Sequence, residues 1–430
     1  MSGTKQVAGQ GVDLARVVVA GDALENGRRN GAASQCGPVE PPPVDRDALR
    51  SKIQRHLEAI GLNGHRPDDV LSKEAIRHIH RFHREAKQQR TRKALGNKID
   101  RFMEEIANGD EVEPENIQPE LVDVRAGRRT GDLFRFAALL WSIPVSQGYG
   151  RRLRFLVRDR ANGKLIGIFA LGDPVFNLRV RDEWIGWDHQ DRRERLVNLM
   201  DAYVVGAVPP YADLLGGKLV ASLIASQEVA NKFEERYGNT AGLISGKRKR
   251  ARLAVVTVTS ALGRSSMYNR LKLKANAPGK EAETVVELLQ LGSTMGYGHF
   301  QITEDLFSQL RRVLQEDEHK YADGHQFGDG PNWRIRVARK GLESLGMNAD
   351  EILKHGIRRE VYAMPIASNS RRFLSGEHRQ PIFNHLTVDE ISVLARNRWL
   401  VPRSKRLPRY QEFRREQLRD VLRSETVNCS

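Results

Sequence analysis

The chain is poor in cysteine, in long apolar runs and in acidic residues, and each shortage excludes a class of protein. Two cysteines, Cys36 and Cys429, occur among 430 residues, so neither a disulfide framework nor a four-cysteine zinc site is available. No run reaches the roughly 18 apolar residues that a membrane-spanning helix requires. The N-terminus also lacks the apolar core of a secretion signal. We therefore expect a cytoplasmic protein with free thiols, no structural metal and no membrane association.

The shortage of acidic residues points to a polyanionic partner. Lysine and arginine number 70 against 54 aspartates and glutamates, a formal charge of +16. Basic clusters occur at residues 87–93, 151–160, 246–252 and 403–409. One such cluster alone is typical of a solvated surface, but phosphate-binding side chains release counterions and bind nucleic acid strongly. We expect DNA rather than RNA as the ligand. The predicted contact residues are Arg151, Arg152, Arg154, Lys247, Arg248, Lys249, Arg250, Arg403, Lys405, Arg406 and Arg409.

Composition and periodicity divide the chain into four ranges. Residues 1–45 are rich in glycine, alanine and proline, which predicts a disordered tail. Apolar residues at helical spacing predict a helical unit over 46–110. Strand and helix patterns alternate over 122–325, which is typical of a mixed α/β core. Residues 326–430 are predicted to form a small, basic α+β module.

The strand pattern of the core is the clearest. Apolar runs at 154–157 and 165–171 flank Asn162-Gly163, a strong signal for a hairpin turn. The continuous run 253–259 is too apolar for an edge strand, so we expect it at the centre of the sheet. A further strand is predicted over 285–291.

The helical pattern of the core consists of three segments. One long helix is predicted to follow the turn at 208–211 and to end at Tyr237. A short helix is expected from about Arg264 to Leu271. Thr303 is placed to cap a third helix.

The segment between residues 201 and 273 combines strand, loop, helix, strand and a tyrosine-containing segment. The helix opens with Gly216, Gly217 and Lys218, and residues 266–273 read SMYNRLKL. This order is similar to the acyl-CoA-binding core of the GNAT superfamily of N-acetyltransferases. The resemblance implies an acetyltransferase-like mixed sheet, with acetyl-CoA held by the two glycines and Lys218. It also implies that Tyr268 protonates the departing thiolate.

Two features leave a structural alternative open for this segment. The family pattern of a Gln or Arg followed at fixed spacing by two glycines is absent before Gly216. Gly216 and Gly217 are equally typical of close helix packing. Tyr268 is equally typical of a tyrosine at the edge of a core.

Aspartate and histidine residues provide other candidate sites. Asp173, Asp182 and Asp188 lie within sixteen residues, and their carboxylates are the ligands that a divalent cation in a nuclease needs. Aspartates also start turns and cap helices, which is the alternative interpretation. His299 is a candidate base or a hydrogen-bonded structural residue. His80 lies among arginines, a pattern that favours a basic solvent-facing surface.

Several short segments rich in Gly, Pro, Trp, Asp and Arg occur in a fixed order. They lie at residues 143–152, 172–178, 181–188, 206–211, 260–266, 296–300, 327–333 and 355–360. Together they resemble the Druantia anti-phage defence protein A family over about residues 140–375. The resemblance implies a bacterial defence protein that works with partners such as a helicase on invading nucleic acid, and it implies no particular reaction.

Three functions therefore stay open at the level of the sequence. The first is a nucleic-acid-binding component of an anti-phage defence system. The second is an acyl-CoA-dependent acyltransferase that uses Tyr268. The third is a metal-dependent nuclease centred on Asp173, Asp182 and Asp188. His299 is a further catalytic candidate. Whether the protein is an enzyme is left undecided.

Overall fold

A computed structural model describes residues 42–62, 71–146, 148, 150–241, 248–275, 281–294, 296–323 and 331–423. The chain divides into two compact units, Met1–Pro43 and Val44–Ser430. Most of the predicted disordered tail lies outside the described residues, and so do Lys247 and the side chain of Lys249. The architecture below is that of the larger unit.

A seven-stranded mixed sheet forms the centre of the larger unit. The strands of the chain are β1 (Pro119–Asp123), β2 (Arg152–Asp159), β3 (Leu165–Gly172), β4 (Leu199–Ala207), β5 (Asn239–Ala241), β6 (Arg248–Arg250), β7 (Val255–Thr259), β8 (Lys272–Ala275), β9 (Glu283–Glu287), β10 (Leu289–Thr294) and β11 (Arg359–Pro365). The order in the large sheet is β1-β2-β3-β4-β7-β11-β10, and separate pairs are formed by β5 with β6 and β8 with β9. Within the large sheet, β4 and β7 are parallel and the other neighbours are antiparallel. The predicted α/β fold and the central position of β7 are confirmed.

The predicted hairpin is the one formed by β2 and β3. Phe155 pairs with Phe169 in register, and their rings stack with centroids 5.0 Å apart. Gly163 has φ +70°, and the Asn162 Oδ1 atom accepts a hydrogen bond from the Lys164 amide at 2.9 Å. The left-handed conformation explains why glycine occupies this turn.

Helices cover both faces of the sheet. They are α1 (Arg46–Ala59), α2 (Lys73–Ile79), α3 (Arg81–Leu95), α4 (Lys98–Met103), α5 (Arg129–Ala138), α6 (Arg179–Ile185), α7 (His189–Arg195), α8 (Gly216–Ser222), α9 (Gln227–Tyr237), α10 (Glu304–Glu316), α11 (Pro331–Ser344), α12 (Ala349–Leu353), α13 (Ser370–Ser375), α14 (Val388–Ala395), α15 (Val401–Arg406) and α16 (Leu418–Arg423). Thr303 caps α10 by accepting a hydrogen bond from the Leu306 amide, as predicted. Within the described ranges, the helices fall short of the length and apolarity needed to cross a bilayer.

The apolar residues form several packing layers. Ile53 of α1 packs with Leu310 of α10 and Leu342 of α11. Phe102 of α4 and Phe136 of α5 pack against one face of β2 and β3, whereas α8, α9 and α14 cover the other face. Helices from the range 46–110 thus contribute to two layers, and β11 from the range 326–430 lies inside the central sheet.

Three predicted elements differ from the structure. The single long helix is wrong, because Ser226 adopts an extended conformation and caps α9 by accepting a hydrogen bond from the Val229 amide. The short helix from Arg264 is also wrong, since this segment forms turns and Arg270 has φ +58°. The single strand over 285–291 is two strands, β9 and β10, which belong to different sheets.

Candidate functional site

The most distinctive feature of the sheet is an opening between its two parallel strands. β4 and β7 pair only where Leu199–Asp201 faces Val255–Thr257, although β4 continues to Ala207. On the other side of β4, the register with β3 shifts so that Tyr203 is an extra residue. This bulge turns the strand locally, and the β4 backbone beyond Asp201 lacks hydrogen bonds to β7. Beyond Asp201 the two parallel strands therefore separate, and we call the region between them the gap.

Asp201 lies where the gap begins. The hydroxyl of Thr257 donates a hydrogen bond to Asp201 Oδ1 at 2.7 Å. Burial raises the pKa of Asp201 to about 6, and the opposing influences of Thr257 and the nearby Arg181 do not cancel it. The carboxyl group therefore titrates close to neutrality, which is a property typical of functional sites.

Tyr268 lies behind the same gap. Its side chain is buried, and its ring centroid is 5.5 Å from that of Tyr362. Burial and the nearby Asp201 raise the pKa of the Tyr268 hydroxyl above its ordinary value. The hydroxyl therefore keeps its proton at neutral pH, as a general acid must, while the contact with Tyr362 is equally typical of the edge of a core. The predicted role of Tyr268 stays a prediction.

Lys218 is occupied by contacts inside the protein. Its ammonium group donates hydrogen bonds to the Asn269 and Met267 carbonyls at 2.9 and 3.2 Å. The ammonium also lies 5.5 Å from the centroid of the Trp399 ring. Burial lowers the pKa of Lys218 to about 8. In this arrangement Lys218 fixes the turn that contains Tyr268 rather than pointing to a ligand.

Gly216 and Gly217 permit close packing. A Cβ atom on Gly216 would lie 2.6 Å from the Tyr211 carbonyl oxygen, and one on Gly217 would lie 2.8 Å from Met267 Sδ. Both distances are shorter than side-chain contacts tolerate. The structure therefore provides a packing reason for both glycines.

The loop before α8 uses its own backbone donors. The amides of Ala212, Asp213, Leu214, Leu215 and Gly216 donate to loop carbonyls. Leu215 has φ +62°, a conformation that favours glycine. Because these amides are already bonded, this loop does not present the donor cradle that a pyrophosphate needs.

The three candidate metal-binding aspartates have separate partners. Asp173 accepts hydrogen bonds from the backbone amide and Nε of Arg151 at 3.0 and 2.6 Å. Asp182 pairs with Arg181 and Arg192. Asp188 caps α7 by accepting a hydrogen bond from the Asp191 amide at 2.8 Å. Across the described ranges, no group of three or more His, Cys, Asp or Glu residues is placed to hold a metal ion.

The candidate histidine lies in a different environment. Burial, together with Arg334 and His83, lowers the pKa of His299 to about 4. These two residues belong to α11 and α3, and neither belongs to β4 or β7, the strands that border the gap. The expectation that His80 faces solvent is wrong, because its side chain is only 6% exposed and its ring centroid lies 4.3 Å from that of Phe300.

Several predicted nucleic-acid-binding residues are held by internal contacts. Arg151 binds Asp173, donates to the Val197 and Leu199 carbonyls, and lies over the rings of Phe233 and Tyr237. Near the C-terminus, Arg403 and Arg409 bind the carbonyl and the carboxylate of Asp213, and Arg406 donates to the Pro402 carbonyl. Lys405 is exposed.

The other predicted arginines form what we call the β2 basic surface: Arg152, Arg154, Arg248 and Arg250. Within the part of the chain that the structure describes, none of the four pairs with an acidic side chain. The Tyr237 hydroxyl bonds the amide and carbonyl of Arg152 at 2.8 Å, which places the start of β2 beside the end of α9 and the β5–β6 hairpin that follows it. Arg152 thus lies beside the end of α9, and β6, which carries Arg248 and Arg250, pairs with the strand that follows this helix.

Aromatic side chains connect the β2 basic surface to the gap. Tyr203, the extra residue of β4, is half-buried, and the charges of Arg152 and Arg154 act on its hydroxyl. Trp141 is also half-buried and packs over Gly206, where a Cβ atom would lie 2.6 Å from the indole. Two aromatic rings thus lie at the part of β4 that continues beyond its pairing with β7.

The sequence analysis did not find Asp201, Thr257, Tyr203 or Trp141. One signal was present, since Asp201 is a charged residue that directly precedes the apolar run 202–208. The bulge and the partial pairing of β4 with β7 depend on contacts between distant segments, which the local pattern does not contain.

Replacing Asp201 by Asn tests its protonation. The pKa of Asp201 is raised to about 6 in the folded state, whereas an aspartate in the unfolded chain has a pKa of about 3.9. Protonation of Asp201 therefore stabilises the folded state fully below about pH 3.9, and this stabilisation is lost as the pH rises through 6. We expect Asp201→Asn to unfold at higher urea than the parent protein at pH 8, with a smaller difference at pH 5. The exposed Asp389→Asn variant is the control. A parent protein more stable than Asp201→Asn at pH 8 would contradict this assignment.

Comparison with known proteins identifies the family. The family model described as Druantia protein DruA matches residues 70–376. A curated relative, Druantia protein DruA of Escherichia coli (strain UMEA 4076-1), is 44% identical over 384 residues, which cover 88% of this chain and 93% of that protein. No solved structure matches the chain. The family model spans the segments that carried the resemblance, and the chain belongs to the Druantia protein DruA family.

Proposed function

We propose that the protein is a nucleic-acid-binding component of a bacterial anti-phage defence system that acts on invading DNA with partner proteins. Family membership supports the role in anti-phage defence. The observation that carries the nucleic-acid part is the β2 basic surface, where four arginines lack acidic partners among the described residues. Unpaired guanidinium groups at a surface are available to neutralise phosphates.

The arginines in and next to β2 differ in whether they have an acidic partner. Arg158 pairs with Glu105, and Arg160, just after the strand, pairs with Asp389. Just before the strand, Arg151 pairs with Asp173. Arg152 and Arg154 interrupt this series, so the lack of an acidic partner is local to one end of the strand. Across β3, Arg152 and Arg154 are level with Asp201 and Val204, the part of β4 where it separates from β7.

Half-exposed aromatic rings favour single-stranded DNA as the form that binds. Proteins that bind single strands combine a positively charged surface with aromatic rings on which bases stack. Tyr203 lies near Arg152 and Arg154, and Trp141 packs over Gly206 of the same strand, so we propose the exposed parts of these two rings as the stacking surfaces. In a duplex the faces of the bases are covered by their neighbours, so the rings have no comparable partner. The proposed partner proteins, such as a helicase, would supply single strands.

The double variant Arg152→Gln/Arg154→Gln tests the proposal. We expect weaker binding of a fluorescent single-stranded oligonucleotide and a shallower salt dependence, with the slope of log K against log salt reduced by about 1.4 for two lost phosphate contacts. Fluorescence anisotropy over a series of salt concentrations measures both effects. The matched control is Arg371→Gln/Arg379→Gln, which removes two exposed arginines elsewhere.

Two results would contradict the proposal. One is an absence of binding by the parent protein to any single- or double-stranded substrate at low ionic strength. The other is an equal loss of affinity in the control variant, since that would mean that net charge alone, and no particular surface, attracts the oligonucleotide.

An acyl-CoA-dependent acyltransferase is the second candidate, and the strand order favours it. One parallel pair that separates beside a loop and helix, followed by a buried tyrosine, agrees with the acetyltransferase-like core expected from the sequence. The loop before α8 counts against an acyltransferase. Its amides are bonded internally, Lys218 holds the Met267 and Asn269 carbonyls, and Met267 lies against Gly217.

We therefore propose that the core is an acetyltransferase-like scaffold that no longer transfers acyl groups. A fold does not determine a function, and the same sheet can present a binding surface after its catalysis is lost. On this account Tyr268 has a structural role beside Tyr362.

Titration with acetyl-CoA tests this second proposal. We expect no saturable heat in calorimetry and no rise in the midpoint of thermal unfolding, because a ligand that binds the folded state raises its stability. Saturable acetyl-CoA binding that is lost in Gly217→Val, whose side chain would crowd Met267, would contradict the scaffold proposal.

A further inference from the structure

A cluster of two buried histidines and one arginine lies at the junction of α2 and α3. The ring of Phe300 packs between His80 and His355, with centroid distances of 4.3 and 4.6 Å. His80 is 6% exposed and His355 is 3% exposed. Both ring nitrogens of His80 lack a hydrogen-bond partner among the described residues. Arg359, the first residue of β11, acts electrostatically on both histidines.

Arg359 has no counter-ion in this cluster. Its Nε atom is buried without a hydrogen-bond partner, and the described part of the chain supplies it with no ion pair. Among the charges that act on His80, His355 and Arg359, none is a carboxylate. An arginine remains protonated in proteins, so it cannot avoid the cost of an unpaired buried charge by losing its proton.

We propose that His80, His355 and Arg359 form a binding pocket for a phosphate group. The guanidinium group matches phosphate oxygens through two parallel hydrogen bonds. His355 Nδ1 accepts a hydrogen bond from the Ile357 amide at 3.2 Å, so the proton of the neutral ring is on Nε2, which can donate. His80 offers a second ring donor. Three donors with no competing carboxylate suit an anion with several oxygens.

The backbone of Gly298 lies beside His355. Gly298 is half-buried, and a Cβ atom on it would lie 3.4 Å from His355 Nε2. Gly298 therefore places no side chain over this donor atom. Tyr297, the preceding residue, is 43% exposed.

Thermal unfolding and calorimetry of the full chain test the pocket. The two probes are inorganic phosphate and thymidine 5′-monophosphate, each compared with sodium chloride at equal ionic strength. We expect the unfolding midpoint to rise by several degrees with at least one probe. A response to both identifies the phosphate group as the ligand, whereas a response to the nucleotide alone identifies a nucleotide.

The variant Arg359→Gln should unfold at a higher temperature than the parent protein without ligand, because the unpaired charge is removed, and should lose the response to phosphate. Arg358→Gln, which changes the exposed neighbour, should retain the response. His80→Phe keeps the contact with Phe300 and should also weaken phosphate binding. This variant provides the test if Arg359→Gln does not fold.

Two outcomes would overturn the pocket. They are the absence of any midpoint shift beyond the chloride control, and an undiminished phosphate response in the variant at Arg359 or His80. The pocket is independent of the proposed function, since Arg152→Gln/Arg154→Gln should leave the phosphate response unchanged.

Discussion

The structure depends on a parallel strand pair that separates after a few residues. β4 and β7 are joined only where Leu199–Asp201 meets Val255–Thr257, and the rest of the unit is arranged around the resulting gap. The bulge at Tyr203 lies in the part of β4 beyond this pairing, and Thr257 holds Asp201 where the strands separate. Buried backbone groups need partners. The β4 backbone beyond Asp201 therefore requires partners other than β7.

The distribution of charge shows which parts of the basic surplus are structural. The formal charge of +16 suggests a uniformly basic surface, but many arginines form ion pairs or hydrogen bonds with other residues of the protein. Arg415 illustrates this use, because it binds Glu104, Glu111 and the side chain of Asn108. Among the arginines predicted to bind nucleic acid, Arg152, Arg154, Arg248 and Arg250 have neither an acidic partner nor a carbonyl partner for the side chain in the described residues. The central claim of this account is that Arg152 and Arg154, with Tyr203 and Trp141, form the surface that binds a single strand.

Much of the fold was predictable because its signals are local. The run 253–259 is apolar apart from two threonines, which is typical of a central strand, and Asn162-Gly163 supplies the left-handed turn that the β2–β3 hairpin requires. The break at Ser226 was missed because a serine inside an apolar helical pattern can either continue the helix or cap a new one. The choice is made by tertiary packing.

The candidate site was less predictable, and the reason is again physical. Arg151 and Arg152 are adjacent and identical in sequence, yet one is bound to Asp173 and the other has no acidic partner among the described residues. His80 is surrounded by arginines in the chain and buried in the structure. Ion pairing and burial depend on residues that are distant in sequence, so a list of basic residues could not separate structural arginines from available ones.

Ultraviolet cross-linking of the parent protein to single-stranded DNA, followed by mass spectrometry of the linked peptides, tests the central claim most directly. The account predicts cross-links at Tyr203 and Trp141, because bases stacked on these rings lie within bonding distance of them. Cross-links confined to the C-terminal residues 403–410 would contradict it.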